Sequence, residues 1–590
     1  MGGSVVSASG DLGWAPRACH VRGVAAALLA ALVAVEASGQ TPPVLQTPPV
    51  PSPPPRPPGT LPPDAIPAAP PGTRGAPPGA EHIFITPTMV ELDGNTVYPA
   101  GVLEAMAQPL IGRRIAASEM FALAQQIEAR YRADGYVLTT VFVPAQRTTD
   151  GRVTIRIVEG YIANVAVEGD VGDVAGQVKR ILQNVTRARP ARLRDIERYL
   201  LLVQDLPGLS LKAILRPGRE PGSSELVAQV RRSPWDAQLQ ADNRGSRFTG
   251  PQQVTAMVGA NAFTGLAERL EATYFTTLDR EQNFGQITWS NFIGDEGLRL
   301  RAYYGHGWIK PGAELKVAGY DGVLTVAGGA LSFPVIRSRA VNLNVFGAYD
   351  YYSSDVDLAA QKNFNRTRLS VLRMGGDISY RDSWNGVTFG NVRLSQGVSV
   401  FGASRRGDPL LNRVGADPTF FKINGEVSRL QGVWQGDGFA LNLYGTVAAQ
   451  YANDILPSNE KYFVGGDRLG RGYYAGQVTG DKALAAALEL QLNLAIPYDE
   501  AAGDSGGLAR GGSLPVQLYA FYDHARVWNN APLEIRHQTA RSFGVGIRVS
   551  FLDNAVAELE GTRRLDRGVD GATARRLDPW NLYARLTVRF

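Results

Sequence analysis

Apolar and polar positions change period along this 590-residue chain. Between about residues 81 and 232 two periods mix. IFITPTMVELDG reads as a strand. Met120, Leu123, Ile127 and Tyr131 then recur at helical spacing, with Gly135 placed to stop the helix. VLTTVFVP and RVTIRIVEG follow, and in the second Val153, Ile155 and Ile157 alternate with Thr154 and Arg156 as in a half-buried strand. The plan then repeats. YIANVAVEG is a strand; Val174, Val178, Ile181 and Val185 mark one helix; Leu193, Ile196, Leu200 and Val203 mark another; LSLKAIL and ELVAQVRR close the unit. Two small α+β modules with the order β-α-α-β-β are expected, 81–160 and 161–232, each large enough for its own core.

From about Ser233 helical periodicity nearly vanishes. In LRLRAYY, Leu298, Leu300 and Ala302 oppose Arg299, Arg301 and Tyr303. In LNLYGTVAAQ, Leu441, Leu443 and Val447 oppose Asn442, Tyr444 and Thr446. FGVGIRVSF and the terminal LYARLTVRF repeat the pattern. One apolar and one polar face is what a membrane barrel needs, with lipid outside and water inside. A soluble sandwich gives similar alternation. The export signal described next favours a barrel over 233–590. At about 10 residues per strand plus turns, that length gives about 15–18 strands. Single-chain bacterial barrels have even counts, so a 16-stranded transmembrane antiparallel β-barrel is expected.

Ahead of the modules the texture differs again. GVAAALLAALVAV (Gly23–Val35) follows Arg17 and Arg22 and precedes Ala37, Ser38 and Gly39. It is too short to span a bilayer as a helix and reads as a signal peptide, 1–39, cleaved near Ala37–Gly39. Residues 40–80 are proline-rich and read as an extended linker. The single cysteine, Cys19, would leave with the signal. The mature chain then lacks disulfides, thiolate catalysis and cysteine-ligated metals.

Sixty basic against 55 acidic residues leave a net charge of +5, too little to suggest nucleic acid as a partner. The five histidines lack ligand spacing, so no metal is expected. No Walker, HExxH or GxSxG pattern occurs, no cofactor is implied and no enzyme is expected. The basic cluster RARPARLRDIER (Arg187–Arg198) reads as the solvated face of a helix, with contact to substrate or lipid headgroups as the alternative.

One segment resists assignment to strand or helix: VGGDRLGRGYYAG, Val464–Gly476, with Arg471 between Gly470 and Gly472. Such a loop could cradle a phosphate, carry one arginine into a cavity, or form a solvated turn. No lysine–serine pair follows it, which weighs against the phosphate.

Three stretches in order supply a resemblance. TTVFVPAQRTTDGRVTIRIVEGYI (Thr139–Ile162) resembles the first POTRA domain of two-partner secretion transporters, the haemolysin- and adhesin-exporting branch of the Omp85 superfamily. YFVGGDRLGRGY (Tyr462–Tyr473) resembles that superfamily's barrel loop, with Gly470 where Val is commoner. YAFYDHARVW (Tyr519–Trp528) resembles its Phe-x-Asp strand, with Ala525 where Gly is often found. The resemblance implies that the loop (Gly470, Arg471, Gly472, Tyr473) folds back into the lumen and that Arg471 pairs with Asp523. In FYDHARV, Phe521 and Asp523 share one face, and the resemblance places that face inward. It also implies a barrel in the Gram-negative outer membrane, two POTRA domains in the periplasm and export of one large partner protein. Contact with outer-membrane lipid is implied too, as is assembly by the barrel-assembly machinery, with Phe590 as the C-terminal signal. Many members carry a plug helix ahead of the POTRA domains; between Gln40 and Ile83 only proline-rich sequence is read. An assembly insertase of the same superfamily is the alternative. A passive porin would leave the two modules unexplained.

Overall fold

The computed structural model describes residues 75–590, apart from 149, 246–247, 313–315, 317–318, 360, 498–512, 552–553 and 569–575. The signal peptide, most of the linker and the question of a plug helix before residue 75 lie outside the described residues.

In the first module the helix Ala117–Ala133 buries Met120, Leu123, Ile127 and Tyr131 against Val153, Ile155 and Ile157 of the strand Arg152–Val158. Glu119 reaches back to the Ala116 N–H (3.2 Å), satisfying a donor that the first helical turn leaves open. Gly135, at φ 91°, ends the helix in the left-handed conformation that glycine adopts freely. The strand Arg152–Val158 lies between Met89–Asp93, parallel to it, and Thr140–Phe142, antiparallel. The stretch IFITPTMVELDG is two strands and not one. Phe84–Ile85 pairs with Ile115–Ala116, and only Met89–Asp93 joins the main sheet. Pro87 sits at the break, where a residue without N–H cannot donate to a ladder.

The second module has the same layout. The strand Ser223–Arg232 is flanked by Tyr161–Asp170 (parallel) and Leu209–Pro217 (antiparallel). The helices Ala175–Gln183 and Leu193–Gln204 cover one face through Val178, Ile181, Ile196, Leu200 and Val203. Val185 lies in a tight turn, Asn184–Thr186, beyond the first helix.

After Arg232 the chain enters a closed barrel of 16 strands, opening with Trp235–Asp242 and ending with Trp580–Arg589. These two strands pair from Arg585–Asp242 to Arg589–Gln238. Phe590 extends the seam: its N–H donates to the Ala237 carbonyl (2.8 Å), and the Ala237 N–H donates to its own (3.2 Å). The predicted faces appear as alternation of exposure. Tyr304, Val447 and Val545 are exposed, whereas Thr446 and Asp523 are buried. No helix among the described residues is long and apolar enough to cross a membrane.

Only the second half of the basic cluster Arg187–Arg198 is helical, and it is solvated in part: Arg187, Arg189 and Arg194 are exposed, whereas Arg198 turns onto the barrel at the turn between the strands Gln282–Ile293 and Leu298–Ile309. Arg198 pairs with Glu296 (3.3 Å) and donates to the Pro334 carbonyl (3.1 Å), and Arg187 lies 3.8 Å from Asp295. Tyr199 donates to Glu296 (2.9 Å). Burial and that carboxylate push the Tyr199 phenol up to about 12, so it remains a donor at neutral pH. Gly297, at φ 90°, brings this turn so near the module that a Cβ would lie 2.6 Å from Leu202. Arg337, at the end of a neighbouring strand, forks both oxygens of Asp205 (2.7 and 2.8 Å).

That fork is a largely buried ion pair between module and barrel. Arg337→Ala or Asp205→Ala is expected to weaken docking by ~1.5–3 kcal/mol, the range for charge-assisted hydrogen bonds. Limited proteolysis at the Ser233–Pro234 junction should accelerate in each variant, with the heat-modifiable mobility of the barrel unchanged. Unaltered cleavage in both would mean that the fork does not hold the module.

Candidate functional site: the lumen loop

The strands Phe439–Ala452 and Lys482–Pro497 pair as neighbours, yet the chain between them runs from Asn453 to Asp481. Within it a short hairpin, Tyr462–Val464 with Val478–Gly480, carries the tip inward. Apolar side chains of the loop (Val464, Leu469, Tyr473, Val478) pack on Ala483, Ala485, Ala525 and Ala540 of the wall. These alanines are on the lumen face yet almost fully buried. Short side chains there leave room for the loop.

The tip is folded on itself. Gly465, Gly466, Gly470 and Gly476 all have positive φ, and the Gly466 N–H donates to the Tyr473 carbonyl (2.9 Å). Gly470 sits at φ 79°, and a Cβ would also meet Val464 at 2.7 Å. The departure from the commoner Val therefore has a local reason: this loop turns left-handed one residue before the arginine. Gly472 plays a different part. Its φ is not positive, and a Cβ would lie 2.6 Å from the Ser542 Cβ, so it serves close approach to the wall.

Arg471 points into this closure and is 4 % exposed; Asp523 is completely buried. The Arg471 backbone N–H donates to Asp523 Oδ2 (2.7 Å), and the guanidinium donates to Oδ2 (3.1 Å) and Oδ1 (2.9 Å). The same guanidinium lies 3.6 Å from the centre of the Phe521 ring. Phe521 and Asp523 both face inward, while Tyr522 and His524 face out. Tyr473 is fully buried, and its one hydroxyl proton is shared between the carbonyls of Asp566 (2.7 Å) and Arg541 (2.9 Å). The Gly472 carbonyl accepts from Arg564 Nε (2.6 Å) and Asn581 (3.2 Å).

Sequence reasoning missed a second carboxylate. Glu489 also accepts from Arg471, and its other oxygen accepts from Arg548 (2.9 Å). Arg548 lies over Tyr519 (3.8 Å), whose hydroxyl sits between Glu558 (2.7 Å) and Glu560 (2.9 Å) with one proton for the two; Glu560 in turn pairs with Arg244 (2.9 Å). Arg244 returns to the loop at the Gly466 carbonyl (3.1 Å). The signal for Glu489 was a lone acid in the apolar run AAALELQL, on the same parity as the buried alanines. Nearer the extracellular end, Arg413 pairs with Asp481 at the base of the loop (2.5 Å) and with Glu534 (2.6 Å). Arg471, facing two carboxylates, has no free donor fork for a phosphate. Among the described residues no cluster of His, Cys, Asp and Glu could hold a metal.

Residues 222–549 match the profile described as haemolysin secretion/activation protein ShlB/FhaC/HecB, and residues 85–160 match the POTRA domain, ShlB-type. The chain belongs to the haemolysin secretion/activation family. Its curated relatives include the heme/hemopexin transporter protein HuxB of Haemophilus influenzae (strain 86-028NP), 21% identical over 381 residues, covering 63% of this chain and 66% of that one. They also include the hemolysin transporter protein HpmB of Proteus mirabilis, 22% identical over 418 residues, covering 66% and 69%. The aligned region thus spans just under two thirds of HuxB. CdiB from Escherichia coli shares the fold with a TM-score of 0.67 and 17% identity, covering 89% of this chain and 94% of that one. CdiB from Acinetobacter baumannii does so at 0.58 and 15%, covering 97% of both. The chain thus forms an outer-membrane β-barrel of this family, with a ShlB-type POTRA domain on the periplasmic side.

Removing one partner of a buried ion pair strands the other, which typically costs about 3–5 kcal/mol. Arg471→Ala and Asp523→Ala should each lower the midpoint of heat-modifiability of the purified protein. The double variant should be less destabilised than the sum by ~1–3 kcal/mol. Arg471→Lys should recover only part, since an ammonium lacks the planar fork. Strictly additive single effects would mean that the two side chains do not interact in solution.

Proposed function

We propose that this protein exports one large exoprotein of the haemolysin or adhesin type from the periplasm to the cell surface, through the barrel and without covalent chemistry. The observation that carries this reading is the direct mounting of the second α+β module on the periplasmic turns of a closed barrel of this family. Residues 161–232 are read as a second POTRA domain, since they repeat the layout of 85–160. The client is recognised by strand addition at unpaired sheet edges, such as Thr140–Phe142 and Leu209–Pro217. Folding of the client outside supplies the drive, because the periplasm offers no ATP.

In this reading Gly470, Arg471, Gly472 and Tyr473 form the lumen-loop motif and Phe521 and Asp523 its anchor on the wall. The charge balance around Arg471 holds the loop in one place until the client displaces it. Phe590 is the signal read by the barrel-assembly machinery, and outer-membrane lipid surrounds the strands.

Comparing the secretome of a strain lacking this protein with the complemented strain should show one very large protein lost and restored. Complementation with a chain lacking 82–160 should leave a heat-modifiable barrel in the outer membrane and no secreted client. Secretion by that shortened chain would overturn the recognition role; an unchanged secretome would overturn export.

A further inference from the structure

The lipid-facing side of a membrane barrel is normally apolar, and Lys or Arg at the bilayer midplane costs ~2–4 kcal/mol, falling to ~0–1 near the interfaces. Four consecutive strands nevertheless carry a cation on that face near their extracellular ends: Lys482, Arg526, Arg541 and Arg563. Arg526 has the parity of exposed Tyr522, and Arg541 that of exposed Phe543 and Val545. The ladders fix how the four are arranged. Lys482 pairs with Trp528, Arg526 with Thr539, His524 with Arg541, and Phe543 with Arg563. Each cation therefore sits two residues nearer the periplasm than the position facing its predecessor. Followed round the barrel, the register climbs toward the extracellular end, as the tilt of barrel strands requires. A path of nearly constant depth must step back in this way, so the four form a row along the membrane boundary.

Arg541 is answered by Asp566 (2.8 Å). Among the described residues, no carboxylate lies within ion-pair distance of Lys482, Arg526 or Arg563. Each of these three lies instead over an aromatic ring of the outer girdle: Lys482 over Tyr451 (5.0 Å), Arg526 over Trp528 (5.5 Å) and Arg563 over Trp580 (5.2 Å). A ring face holds a cation in place without neutralising it. Beside Lys482 opens a groove of about 1040 Å³. Exposed Ile423, Val427, Val447 and Leu484 line it, and Arg536 stands with Lys482 among its polar lining.

We propose that this row and groove form a binding site for the phosphorylated glycolipid of the outer leaflet, lipid A. Its phosphates meet Lys482, Arg526 and Arg563, and an acyl chain lies in the groove. Charge decides the occupant: un-neutralised cations at the boundary need an anionic headgroup, and the apolar channel beside them needs that headgroup to carry chains. The inference rests on the outer-membrane placement of the barrel and not on export.

The test titrates the full-length protein in detergent with bisphosphorylated lipid A, dephosphorylated lipid A and phosphatidylglycerol, reading affinity and the midpoint of heat-modifiability. Bisphosphorylated lipid A should bind most tightly and raise the midpoint. Combining Lys482→Gln, Arg526→Gln and Arg563→Gln should weaken it by about tenfold or more, with the lipid-free barrel still heat-modifiable. Val447→Trp, which obstructs the groove and leaves the row intact, should weaken it independently. If the triple variant does not fold, Arg526→Gln and Arg563→Gln measured singly give the same comparison. Equal affinity of wild type and row variants, or of phosphorylated and dephosphorylated lipid, would overturn the site. Equal binding of phosphatidylglycerol would overturn the assignment to lipid A.

Discussion

Hydrocarbon offers no partner to a peptide N–H or C=O, so a sheet that crosses a membrane must close on itself. Here closure rests on the seam between Trp235–Asp242 and Trp580–Arg589, carried one residue further by the backbone of Phe590. Closure then divides every strand into a lipid side and an enclosed side. The enclosed side collects the charges, and those charges set where the long loop after Ala452 can rest. The apolar side leaves few places for a cation, which gives meaning to the row of cations at the outer boundary.

Inside, the loop is held by a balanced set of charges and not by apolar packing alone. Arg471 meets Asp523 and Glu489; Glu489 is shared with Arg548, and the network runs on to Glu560 and Arg244. Buried ion pairs contribute little net stability once desolvation is counted, but they are costly to mismatch. A loop fixed in this way has one well-defined seat and can still leave it if the charges find new partners. The proposed export route needs both properties: a closed resting state and an element that yields to an extended client.

The modules and the barrel were legible because their periods differ: helical spacing at Met120–Tyr131 and Ile196–Val203, strict alternation at Phe543–Phe551. Strand parity allowed Asp523 to face inward, but the pairing with Arg471 came from the resemblance and not from spacing. Contacts between distant segments were not legible. Glu489 reads as one acid in an apolar strand, and nothing local announces that a loop arginine covers it. Arg198 was not legible for the same reason: it stands in a cluster that is otherwise partly solvated, and the carboxylate that answers it, Glu296, is about a hundred residues away on a barrel turn. Gly470 and Gly472 look alike in sequence; only backbone angles separate a left-handed turn from a close approach.

The central claim is that the client passes through the lumen past this loop. A photoreactive residue placed singly at inward-facing Gln491 or Asn424, and at lipid-facing Leu488 or Val427, tests it most directly with a client stalled in transit. The account predicts covalent adducts with client at the two inward positions and none at the two lipid-facing ones. Adducts confined to the lipid-facing positions, or none at any position while secretion continues, would contradict it.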